Sequence, residues 1–106
     1  MLTETTEVVM SRTVAITAQI APGKREQLAS ILAEGPPFDV GACGFRRHMA
    51  FLGDHQLVLL FEGDDPAADV RQLAASLPLA EIGRIGALVS APELLSDSYE
   101  WSAVPA

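Results

Sequence analysis

Two groups of side chains in this 106-residue chain are equipped for chemistry: Arg46-Arg47-His48 with Glu62 further along, and Tyr99 with Trp101 near the C-terminus. A histidine such as His48 can take and return a proton when it lines a cavity, and otherwise it is a packed, hydrogen-bonded member of a sheet or interface. Arg47 with Glu62 could orient a ligand carbonyl or phenolate, or form a plain structural ion pair. Tyr99 and Trp101 could stack on an aromatic substrate, or pack across a subunit interface. Arg46, near a strand end, and His55, in a turn, are expected to be solvated. Cys43 reads as a small buried hydrophobe unless an electropositive, accessible setting makes it a nucleophile.

Other chemistries lack their residues. His48 and His55, seven apart on strand and turn, do not have metal-ligand spacing with acids to complete a site. A lone cysteine rules out an intrachain disulfide and a thiolate zinc finger. There is no glycine-rich phosphate loop, no nucleophile elbow and no haem-attachment motif. No metal and no cofactor is therefore expected.

The element that must position His48 and Arg47 is a hairpin. Phe45-Arg-Arg-His-Met-Ala-Phe-Leu and Gln56-Leu-Val-Leu-Leu-Phe-Glu flank Gly53-Asp54-His55, and either Gly53-Asp54 or Asp54-His55 can serve as the loop. Alternation with period two puts Phe45, Arg47, Met49, Phe51, Gln56, Val58, Leu60 and Glu62 on one face. Arg46, His48, Ala50, Leu52, Leu57, Leu59 and Phe61 fall on the other. With Asp54-His55 as the loop, Arg47 lies directly across from Glu62. Neither face is polar enough to be solvated, although an antiparallel hairpin with one side in water normally alternates apolar and polar. Two helices can cover only one side, so the second face calls for a partner subunit or a ligand.

Around the hairpin, Val14, Ile16, Ala18 and Ile20 alternate with Thr13, Ala15, Thr17 and Gln19 in a strand over 12–20. Pro22 in a first turn, then Leu28, Ile31 and Leu32, predict a helix over 22–34, closed by Gly35-Pro36-Pro37. Hairpin strands are expected at 43–52 and 56–62. Asp65 as N-cap, Pro66 at the first helical position, and Val70, Leu73, Ala74 and Leu77 predict a helix over 66–77. Residues 79–90 are two-valued: Ile82, Ile85 and Val89 favour a short helix, while Ile85-Gly-Ala-Leu-Val could be a strand, since Gly83 and Gly86 each cost a helix about 1 kcal/mol. Leu95, Asp97, Tyr99 and Trp101 share one side of an expected last strand over 95–102.

The resulting order, β-α-β-β-α-(α)-β, is the split βαβ pattern of an α+β, ferredoxin-like fold with a four-stranded antiparallel sheet. Residues 1–10 are expected to be a loose leader before a single domain over 11–103. The charge of −7, from 14 acids and 7 scattered bases, offers no cationic track for nucleic acid and little attraction to an anionic membrane surface. No apolar run approaches the roughly 20 residues that span a bilayer, and Met1–Met10 shows no signal pattern. A cytoplasmic location is expected.

With its apolar second sheet face, this pattern resembles the dimeric α+β barrel superfamily, which includes antibiotic-biosynthesis monooxygenases and polyketide cyclases. The run from Arg46 to Glu62 looks most like the hairpin of SchA/CurD-type polyketide-cyclase-like proteins. The resemblance implies a homodimer and a cavity between sheet and helices for a small apolar, aromatic or polyketide-like ligand. In such a cavity His48 and Arg47 are the catalytic candidates by residue type, and Thr17, Met49, Phe51, Glu62, Tyr99 and Trp101 the candidate ligand contacts. A non-catalytic ligand-binding or accessory homodimer is the alternative.

Overall fold

The computed structural model describes residues 12–99 together with 101 and 103; the expected leader over 1–10 lies outside them. Seven elements follow in order: β1 (Arg12–Ile20), α1 (Arg25–Ala33), β2 (Phe45–Leu52), β3 (Gln56–Gly63), α2 (Pro66–Ser76), α3 (Leu79–Gly86) and β4 (Val89–Leu95). The strands form one antiparallel sheet in the order β2-β3-β1-β4, the ferredoxin-like arrangement with the two middle strands contributed by β1 and β3.

All three helices lie against one face. Val14, Phe45 and Phe61 from the sheet pack with Val70 and Leu73 of α2 in one buried cluster. Leu57 packs with Leu28 of α1 and with Leu88 in a second, which Ile85 of α3 borders. Burying apolar area at about 25 cal/mol per Å² is what holds these helices down.

The hairpin adopts the Asp54-His55 loop: Gly53 N–H donates to Gln56 O at 2.8 Å, and Arg47 pairs with Glu62, His48 with Phe61 and Met49 with Leu60. One residue departs from strict alternation. A bulge at Arg46 pairs Phe45 with Gly63 and turns the Phe45 ring into the helix-side core, not onto the face of Arg47 and Met49 as alternation predicted. Glycines make the bulge fit. Gly44 has φ +94°, and a Cβ on Gly63 would sit 2.7 Å from the Gly44 carbonyl oxygen. The first hairpin strand accordingly starts at Phe45, because Cys43 and Gly44 belong to the preceding turn.

Three other boundaries differ from expectation. Helix α1 begins at Arg25 and not at 22, since Pro22-Gly23 makes a turn with Gly23 at φ +76°. Asp65 occupies the N-cap of α2 but its side chain makes no capping hydrogen bond; its carbonyl accepts from Asp69 N–H at 3.0 Å. The last strand runs over Val89–Leu95 instead of 95–102. Pro92 sits inside β4 at a bulge with Ala91 at φ +52°, and an edge strand tolerates proline because no neighbour needs its N–H. Residues 79–90 follow the helix reading, with α3 running to Gly86; residues 85–88 form no strand, and β4 begins only at Val89.

Candidate functional site

Between the helix-covered face and the helices lies a cavity of about 560 Å³. Its floor is Ile16, Leu59, Phe61, Ala50 and His48 from the sheet, and its walls come from α1, α2, α3 and the Gly35–Phe38 segment. The interior surface is mostly apolar, and among the described residues His48 supplies its one titratable side chain away from the mouth.

His48 is held in a defined tautomer. Its Nδ1 lies 2.9 Å from the Leu60 carbonyl oxygen, which can only accept, so Nδ1–H donates and the neutral ring keeps its lone pair on Nε2. The ring stacks on Phe61, with centroids 4.4 Å apart and 23° between planes, and meets Phe38 at 5.4 Å. Phe45 reaches Phe61 from behind at 4.9 Å. Packing and one hydrogen bond thus fix the imidazole, as a proton-transferring group requires.

The mouth carries charge. Arg84 of α3 donates through one Nη2 to both Glu34 carboxylate oxygens, at 3.0 and 3.1 Å, across 50 residues of sequence. Its Nη1 lies 3.7 Å from Glu81, one turn earlier on α3. The hydrogen bonds and the charge of Glu34 raise the Arg84 guanidinium above its ordinary value, and Glu81 adds to this. All three side chains line the cavity while remaining partly open to solvent.

The structure places the other candidate residues elsewhere. Arg47, Met49, Phe51 and Glu62 lie on the face away from the helices, as does Thr17, which pairs with Val58 and Glu93. Arg47 Nε approaches Glu62 Oε1 at 3.4 Å, so the cross-strand ion pair forms outside the cavity. Tyr99 and Trp101 stack on each other at 6.2 Å beyond the end of β4, both largely exposed. Tyr99 borders a second, wider-open depression with Arg12, Thr13 and Asp97. Arg46 pairs with Asp64 at 2.8 Å on the surface, and Cys43 is half-buried.

Several cavity residues escape sequence reasoning. Phe61 could be found, because alternation puts it on the face of His48. Phe38 carries no signal inside a proline-rich loop, and nothing local links Glu34 to Arg84. Among the described residues no three His, Cys, Asp or Glu side chains gather as metal ligands would, and no helix is long and apolar enough to cross a membrane.

No family model matches the chain, and no curated protein matches it. Solved structures do. The fold is similar to that of tetracenomycin F2 cyclase from Streptomyces glaucescens, a type-II polyketide cyclase, with a TM-score of 0.62 and 22% identity over 87% of this chain and 98% of that one. It is equally similar to a protein of unknown function from Nitrosomonas europaea, with a TM-score of 0.61 and 22% identity over 92% of this chain and 97% of that one. At this identity the likeness establishes a shared fold, and chemistry has to be argued from the site.

Proposed function

We propose that the protein is a cofactor-free enzyme that binds an aromatic or polyketide-like compound in the helix-side cavity and assists ring closure by proton transfer through His48. The observation that carries this reading is the pinned imidazole on the wall of a roughly 560 Å³ apolar cavity. That volume falls in the range of small-molecule sites, about 300–1,000 Å³. Apolar walls and the ring cluster of Phe38, His48 and Phe61 suit a flat, conjugated ligand.

The step has a simple balance. Nε2 of neutral His48 takes a proton from a methylene flanked by carbonyls, and the resulting enolate carbon bonds to a second carbonyl carbon of the same molecule. The new alkoxide recovers the proton from the imidazolium, leaving the closed ring as an alcohol, and that hydroxyl then departs with a second α-proton as water to give the conjugated ring. The cavity contributes by holding the reacting carbons close and aligned. The open sheet face, with Met49, Phe51, Val58, Leu60 and Leu95, is covered in this reading by a second copy of the chain.

Turnover of linear tri- and tetraketone probes by wild type and His48→Ala tests the proposal. A folded His48→Ala protein that has lost about 10²- to 10⁴-fold in rate supports it; unchanged turnover removes His48 from the mechanism. The second reading, a non-catalytic ligand-binding or accessory homodimer, draws support from the lack, among the described residues, of an acid paired with His48, whose ring bonds a backbone carbonyl instead. It predicts probe binding without turnover.

A further inference from the structure

The mouth of the cavity bears one cation and two anions, a net charge of −1, while its interior wall has no fixed charge. We infer that Glu34, Glu81 and Arg84 form a charge filter that admits uncharged aromatic ligands, such as phenols and ketones, and disfavours aromatic carboxylates. The inference rests on the ligand-binding reading of the cavity and narrows its substrate class.

Arg84 by itself would attract an acid. Its guanidinium, however, is already committed: one Nη2 serves both oxygens of Glu34, and Nη1 is turned to Glu81. An entering carboxylate that displaced Glu34 would break a charge-assisted pair, and one that took the remaining Arg84 N–H groups would still face two acids against one base. Deeper in, it would meet apolar walls, where an unpaired charge is costly. A phenol or ketone incurs neither penalty. The hydroxyl of a phenol can donate to either carboxylate, and a ketone oxygen can accept from remaining Arg84 N–H groups. The chain's charge of −7 adds a general field of the same sign.

The trio is also placed to act on every ligand. Glu34 follows the last residue of α1 and Glu81 and Arg84 lie on α3, so the Arg84–Glu34 pair bridges the two walls of the mouth. All three side chains keep between 32% and 58% of their surface exposed while lining the cavity, which puts them where solvent and cavity meet.

Binding of 2-naphthol and 2-naphthoate, a matched neutral and anionic pair, to the full chain at pH 7 by calorimetry tests the filter. Wild type is expected to bind 2-naphthol at least tenfold more tightly. Glu81→Gln leaves the Arg84–Glu34 pair in place and brings the mouth to neutrality. It should improve 2-naphthoate binding by about three- to tenfold at low salt, fading as salt rises, with 2-naphthol unchanged. Arg84→Gln should weaken 2-naphthoate further. Equal affinity for the two probes in wild type, or the same response of both to Glu81→Gln, overturns the filter and leaves the cavity reading standing. Failure of both probes to bind overturns the cavity reading and the filter with it.

Discussion

His48 and Met49 are neighbours on β2, yet they look into opposite environments. His48 faces the helices, where Phe61, Phe38 and the Leu60 carbonyl hold it in one orientation. Met49 faces away, on a surface shared with Phe51, Val58, Leu60 and Leu95 that none of the described helices covers. Both faces are rich in apolar side chains, but they differ in what completes them. Helices close the first and leave a cavity under them. No described helix lies on the second, and self-association is its proposed cover. Apolar content therefore marks a face as covered without saying by what.

Paired substitutions sharpen this contrast. Phe61→Ala removes the ring at the centre of the helix-side cluster and the platform beneath His48. It should cost about 3–5 kcal/mol in urea unfolding and weaken 2-naphthol binding as well. Next in size is Gly63→Ala. Its new Cβ would meet the Gly44 carbonyl oxygen at 2.7 Å, backbone against backbone, so destabilisation by about 1–3 kcal/mol is expected. A denaturation midpoint equal to wild type would show that the bulge relaxes freely.

On the open face the readout changes from folding to association. Phe51 keeps 48% of its surface exposed in the single chain, so Phe51→Ala should cost the subunit less than about 1 kcal/mol. Under the dimer reading it should still weaken self-association about tenfold or more by sedimentation equilibrium. A wild-type protein that sediments as a monomer at micromolar concentration breaks the comparison, because nothing would then cover Met49 and Leu60. Smallest is Arg47→Gln. The Arg47–Glu62 contact is 3.4 Å long and mostly solvated on the arginine side, so its loss should change stability by no more than about 1 kcal/mol. It should leave ligand binding untouched, since Arg47 lies outside the cavity.

Much of the fold could be read from residue order. The alternation in Arg12–Ile20 and in the hairpin, the stripe of Leu28, Ile31 and Leu32, and Asp65-Pro66 at the start of a helix are local signals, and each produced its element. The misread last strand has a non-local cause. Pro92 breaks a central strand but not an edge strand, and edge position depends on the order β2-β3-β1-β4, which no local window contains. Tyr99 and Trp101 were drawn into the last strand because their spacing fits one; the pairing of β4 with β1 ends at Leu95 opposite Ala15.

The candidate site was legible only in part. His48 stood out by residue type, and its shared face with Phe61 followed from alternation. Arg47 stood out equally, but adjacent strand residues point to opposite sides, so the cavity that receives one excludes the other.

Sequence alone determined the identity of the elements and which side chains share a face, because backbone geometry and side-chain alternation act over a few residues. Tertiary structure decided that the helices leave a cavity, that Phe38 closes over His48, that the Arg46 bulge turns Phe45 inward, and that Glu34 meets Arg84 from 50 positions away. These depend on which surfaces are brought together when the helices dock, and contacts between distant segments leave no periodic trace along the chain.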